Sequence, residues 1–222
     1  MNCGVQTSVA TQGTISWFFG SPFLVKQLAG PASSTLNGEL GALILGLEKA
    51  HPTVAQSNRG GWQSEKTLQT IECDAVRTLL ANIDEALATM VESLAPGMSR
   101  DELRSDYDVA AWGNINRQSD YNKMHFHVGG FWSGVYYVTV PPHASRDEGA
   151  ISFRNPTPAA VLANVIRSPT AVRNAFKHEI MIRPAAGMLL LFPSWLEHAV
   201  APHLAECERI SVGFDIVYRT WK

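Results

Sequence analysis

The spacing of apolar residues changes at Pro96-Gly97. Before that point Leu36, Leu40, Leu43, Ile44 and Leu47 recur at intervals of three and four, as do Val76, Leu79, Leu80, Ile83, Leu87 and Met90. This period lays each set along one face of a helix and predicts two amphipathic helices. Ser33-Ser34-Thr35 reads as the N-terminal cap of the first and His51-Pro52 as its end, while the second spans 72–94. A short strand over 13–19 precedes both, and a polar loop over 56–64 lies between them. After Pro96 the period falls toward two. The strands predicted there are 109–116, 123–127, 134–140, 149–153, 179–183, 187–192 and 210–217. Segment 155–177 reads as a loop with a helical stretch at 159–166, and Pro184-Ala185-Ala186-Gly187 as a tight turn between two antiparallel strands. Short strands punctuated by Gly and Pro predict a sandwich or barrel. The expected architecture is α+β: one domain over 1–222, with 1–96 bracing a β-core at 97–222.

Composition narrows the function classes. Of 222 residues, 45% are hydrophobic and 17% charged, enough for a sizeable core and against disorder. The net charge of -2, with no basic stripe, disfavours a nucleic-acid partner. Cys3, Cys73 and Cys207 are too scattered for a metal knuckle or a disulfide framework, which fits a reducing cytoplasm. No apolar run is long enough to span a bilayer, and no leader pattern opens the chain.

The candidate chemistry sits on histidines. His125 and His127 are two apart on an expected strand, so both point to one face and can grip one ion while Phe126 packs behind. His198, on a distant strand, completes a facial set. Imidazole suits iron, copper, zinc and nickel alike, so residue type alone does not choose the metal. The other reading of an HxH pair is chance, and what favours the metal is the order HxH, strands, His198, then Arg209. Arg209 and Ser211 share a strand face and suit an anionic co-substrate, because a planar guanidinium pairs bidentately with a carboxylate. His51, His143, His178 and His203 carry no ligand pattern, and His203 reads as part of a surface turn.

His125-Phe126-His127, the run Trp132-Ser133-Gly134-Val135-Tyr136-Tyr137-Val138 and the run from Leu191 to His198 carry a resemblance. Together with the loop from Ser57 to Ser64, they resemble the 2-oxoglutarate/Fe(II) oxygenases of bacteria and phage, and more distantly the prolyl hydroxylases and nucleic-acid demethylases. The resemblance implies a double-stranded β-helix (jelly-roll, cupin-like) with Fe(II) in its open mouth. It implies His125, His127 and His198 as metal ligands and Arg209 as the partner of the distal carboxylate of 2-oxoglutarate. It also matches Tyr137 and Asn114 to co-substrate contacts, against the readings of a core tyrosine and a buried amide network. One position departs from the pattern: His127 stands where the superfamily usually has Asp or Glu. Three imidazoles also serve dioxygenases that use no oxoglutarate, and a carboxylate such as Asp120 is the other candidate to complete the set. Glu197 would face away from His198.

The expected activity is oxidation, by default hydroxylation, of a small metabolite, amino acid or peptide using 2-oxoglutarate and O2. Phe131, Trp132 and Trp195 flank the metal motifs as candidates for the substrate pocket, with packing as the other reading. The alternatives are a three-histidine dioxygenase independent of oxoglutarate and a non-catalytic jelly-roll module holding a structural metal. A homodimer is expected only from the frequency of symmetric assemblies.

Overall fold

A computed structural model gives the fold and describes residues 13–18, 20–54, 56–97, 107–142, 147–157, 167, 169–170 and 177–219. The N-terminal part runs β1 (Thr14–Phe18), β2 (Ser21–Gln27), α1 (Pro31–Ala50), β3 (Asn58–Arg59), β4 (Trp62–Gln63), a 3-10 turn at Leu68–Thr70 and α2 (Asp74–Leu94). The β-core follows as β5 (Tyr107–Asn116), β6 (Tyr121–His125), β7 (Trp132–Thr139), β8 (Ile151–Arg154), β9 (Glu179–Ile182), β10 (Met188–Pro193), β11 (His198–Val200) and β12 (Arg209–Tyr218). These strands divide between two sheets, ordered β1-β2-β10-β7-β12-β5-β4 and β3-β6-β11-β8-β9. Every pairing is antiparallel. Strands β5 to β12 thus contribute four to each sheet, the arrangement of a double-stranded β-helix.

Strand parity decides which core each side chain enters. On β10, Leu189 and Leu191 join the helix-side core, while Leu190 and Phe192 join the core between the sheets. Neighbouring tyrosines on β7 separate in the same way. Tyr136 reaches α1, where its hydroxyl donates to Asn37 Oδ1 at 2.6 Å, and Tyr137 turns into the space between the sheets. With both faces covered, β10 reads as a continuous apolar run rather than an alternation.

The two helices brace the larger sheet. Leu79, Ile83, Leu87 and Met90 of α2 are at most 1% exposed. Each such burial contributes about 1.5–3 kcal/mol, whereas a helix of this length alone is marginal in water. Buried Lys26 on β2 ties the sheet to α2 through Glu85, at 2.6 Å, and Asn82. The cap expected at Ser33-Ser34-Thr35 is displaced. Gly30 at φ 83° is the N-cap with Pro31 following, and Ser33 instead donates to the Leu28 carbonyl. Proline fits the first helical turn because its missing N–H would have had no partner there. His51 does end α1, its N–H donating to the Leu47 carbonyl.

Four strands lie outside the sequence reading: β2, β3, β4 and β11. The loop at 56–64 is in fact a clasp between the sheets, with β3 pairing β6 and β4 pairing β5. It turns on Gly60 and Gly61, both at positive φ, and a Cβ on Gly60 would fall 1.8 Å from Asp120 Oδ1. The turn before β10 forms, with Met188 N–H donating to the Ala185 carbonyl, but it joins strands of different sheets and not a hairpin. The expected helical stretch at 159–166, His143 and Cys3 lie outside the described residues.

Candidate metal centre and its cavity

Three imidazoles converge between the sheets. His125 closes β6 and His198 opens β11, and the two oppose each other in the antiparallel register. Directly opposed pairs hold their side chains within contact distance, which places the two rings 4.3 Å apart, centre to centre. His127 lies beyond the end of β6, its ring 5.2 Å from His125 and 5.1 Å from His198. The strand does not extend to 127 as expected, and Phe126, expected to pack behind, is 52% exposed at the cavity mouth. Because the ladder stops at His125, His127 is held by other contacts. Its N–H donates to the Ser194 carbonyl at 3.0 Å.

Hydrogen bonds settle which nitrogen each ring offers. Nδ1 faces the Lys123 carbonyl in His125 (2.7 Å), the Leu196 carbonyl in His198 (2.9 Å) and Asp215 Oδ1 in His127 (2.5 Å). Carbonyls and carboxylates only accept, so each Nδ1 carries a proton and Nε2 is the nitrogen left to face an ion. The candidate donor atoms lie within 4.8 Å of one another. Burial, reinforced by its two neighbouring histidines, pushes His198 down to about 3. Burial likewise lowers His125. Neutral imidazole is the ligand form, so His125 and His198 are ready for a metal without first losing protons.

Asp215 is the residue that reading the sequence missed. It is buried on β12 and accepts from His127, from Lys66 Nζ at 2.6 Å and from Ser133 Oγ at 2.8 Å. Burial pushes its carboxyl up, but the His127, Lys66 and Ser133 hydrogen bonds outweigh it and hold the group below its ordinary value. The signal was present: Arg209, Ser211, Gly213 and Asp215 alternate with apolar Ile210, Val212, Phe214 and Ile216, so all four face the site. Asp120, the alternative carboxylate, is elsewhere. Its Oδ2 accepts the Arg117 N–H at 2.7 Å, and the side chain fills the clasp beside Gly60. Glu197 points outward to Arg154, as parity predicts.

The rings open onto a cavity of about 530 Å³ whose lining includes Arg209, Ser211, Asn114, Asn116 and Tyr137. Its floor follows from register: Asn114 on β5, Ser211 on β12 and Tyr137 on β7 are direct cross-strand partners, with Arg209 opposite Asn116 one step along. Arg209 is 3% exposed and its guanidinium has a long bond to Asn116 Oδ1 at 3.4 Å. It also lies 5.2 Å from the centre of the Tyr137 ring. The Arg209 Nε and the Tyr137 hydroxyl are buried with no hydrogen-bond partner. Burial raises the Tyr137 pKa, opposed by the charge of Arg209, so the hydroxyl keeps its proton and is a donor. Two orphaned buried donors, one of them on a buried cation, fit a carboxylate ligand, since such groups are costly to leave unmet.

The flanking aromatics are placed differently from the expectation. Phe131, Trp132 and Trp195 do not line the cavity. They form an edge-to-face cluster completed by Tyr218, with Trp132 2% exposed and Trp195 51% exposed. His203 is buried rather than at the surface, bonding the Cys207 carbonyl through Nε2.

Fold and site define a class: a double-stranded β-helix with three imidazoles at the mouth of an anion-competent cavity. Residues 110–215 match the family described as "Putative 2OG-Fe(II) oxygenase". That segment, which carries the three histidines, Arg209 and Asp215, is the part of the chain similar to this family of oxygenases. Similar folds include a prolyl-4-hydroxylase of Pseudomonas putida, at 18% identity and TM-score 0.57 over 89% of this chain and 93% of that one. A prolyl hydroxylase of Trichoplax adhaerens, in complex with a hypoxia inducible factor peptide fragment, gives 16% and 0.58 over 88% and 83%. HygX of Streptomyces hygroscopicus, with nickel and 2-oxoglutarate bound, gives 15% and 0.54 over 90% and 83%. At these identities the likeness shows the fold. No curated protein matches the sequence.

Proposed function

We propose that the protein is a 2-oxoglutarate-dependent Fe(II) oxygenase that oxidises a C–H bond of a small metabolite, amino acid or peptide, releasing succinate and CO2. The observation that carries this reading is the pair of orphaned donors, Arg209 Nε and Tyr137 OH, buried in the same cavity as the three imidazoles. His125, His127 and His198 would hold the metal through Nε2. Arg209 would pair with the distal carboxylate of 2-oxoglutarate, with Tyr137 donating beside it and Ser211 and Asn114 lining the floor. Bound iron and co-substrate together would supply the oxidising chemistry, and the chain's own task is to orient them and keep water out. The buried floor does the second of these, since Tyr137 and Arg209 are almost fully enclosed. The thiol of Cys73 and that of Cys207 are unpaired, in keeping with a reducing compartment. Among the described residues no helix is long and apolar enough to cross a membrane.

Among the described residues no carboxylate joins the histidine cluster, which supports one rival, a three-histidine dioxygenase that uses no oxoglutarate. Anaerobic titration of the iron-loaded protein with 2-oxoglutarate separates them. A saturable visible charge-transfer band that Arg209→Met abolishes is the expected result. Bound iron without such a band would favour the rival, and no bound iron would remove both.

A further inference from the structure

We propose that Asp215 is a positioning residue that supplies through His127 the negative charge a directly bound carboxylate would bring to the metal. This rests on the metal-centre reading above and explains how an all-imidazole set can stand where a carboxylate usually does. Of the three ligand candidates His127 is the one outside a strand, so the β-ladder fixes neither its backbone nor its ring. Its backbone is tied by the Ser194 carbonyl and its ring by Asp215 Oδ1. The same carboxylate is itself locked. Ser133 Oγ donates to Oδ1, and Ser133 is bonded in turn to Ser194 at 2.8 Å, so ring and backbone anchors form one buried network.

The alternative is that Asp215 exists to pair Lys66, and the geometry argues against it. Lys66 takes the other oxygen, Oδ2, and its side chain is 45% exposed where that of Asp215 is 5% exposed. A partly hydrated ammonium neutralises a buried carboxylate only incompletely, leaving charge directed at His127. A hydrogen-bonded carboxylate behind a histidine raises the basicity of its ligating nitrogen and fixes the ring. Among the described residues, no carboxylate joins the three-histidine cluster itself, so Asp215 reaches the metal position through His127.

Two variants of the whole protein test the proposal. Asp215→Asn can still accept from His127 Nδ1, so it keeps the contact and removes the charge. Chelator competition with Co(II) should show about 10- to 100-fold weaker binding. The midpoint potential of bound Fe(III)/Fe(II) should move positive of wild type. Lys66→Met lies at the cavity edge and leaves Asp215 with His127 and the neutral Ser133 hydroxyl, and it should move the potential in the opposite direction. A structural role for Asp215 would not produce potential shifts of opposite sign. Wild-type metal affinity and potential in Asp215→Asn, or shifts of one sign in both variants, would overturn the proposal and leave the oxygenase reading standing. Failure of the wild-type protein to bind Co(II) or Fe(II) would overturn both.

Discussion

Replacing Arg209 by Met should have opposite consequences for binding and for folding. In the free protein Arg209 is a buried cation whose Nε is unmet among the described residues and whose hydrogen bond to Asn116 is long at 3.4 Å. Its remaining favourable contact is with the Tyr137 ring, of the order of 0.5–2 kcal/mol. An imperfectly paired buried charge costs at least as much as that to desolvate. Methionine keeps the stem's volume and removes the charge, so the stability of the co-substrate-free protein should stay level or rise. Binding should move the other way. Truncating one partner of a buried, hydrogen-bonded charge pair costs about 2–5 kcal/mol, which is roughly 30- to 4000-fold in Kd. Calorimetric titration of 2-oxoglutarate into the metal-loaded protein reads the second effect, and urea unfolding without ligand reads the first. A variant that loses more than about 2 kcal/mol of stability, or that keeps wild-type affinity, would show that Arg209 is a structural element and refute the argument.

Tyr137→Phe removes only the orphaned hydroxyl; it should leave urea stability within about 0.5 kcal/mol and weaken 2-oxoglutarate binding by about 0.5–1.5 kcal/mol, read in the same titration. Gly60→Ala must place a Cβ against Asp120 at φ 66°, so thermal melts should fall by the equivalent of about 1–3 kcal/mol, and an unchanged melting temperature would show that the clasp is not tight. Stability of the metal-free protein should decline as pH falls from about 6.5 toward 3. His198 is near 3 folded against 6.5 unfolded, so in that window the unfolded chain binds the extra proton and acid favours it. Urea midpoints that hold level between pH 7 and pH 5 would contradict the burial of His198.

Periodicity made both helices legible, because their apolar faces repeat every three or four residues, and seven of the eight core strands from 107 onward lie within two residues of their expected bounds. The strand expected over 123–127 instead spans 121–125, and its early end is where local pattern met tertiary control: the partner strand β11 offers pairing to His125, but beyond it the Ser194 carbonyl, not a ladder, receives the chain. β11 itself, three residues long, is too short to show a period, and so are β3 and β4 at two residues each, although both residues of β4 are buried.

For the site, spacing and chemical type singled out the three histidines, Arg209 and Ser211, since strand parity is a property of sequence, while Tyr137 and Asn114 came from the family resemblance. Whether they meet is not. The cross-strand register puts Asn114, Ser211 and Tyr137 in one row and sets His125 against His198, and register depends on pairings between residues scores of positions apart. The same holds for Asp215 and Asp120. Both are single aspartates in the sequence, and only the packing of β12 beneath His127, and of the Gly60-Gly61 turn against Asp120, makes one a partner of the metal centre and the other a brace for the clasp. Phe131, Trp132 and Trp195 lie beside the metal motifs in sequence yet pack on one another away from the cavity, because closeness along a strand end says nothing about which side of the sheet a ring takes.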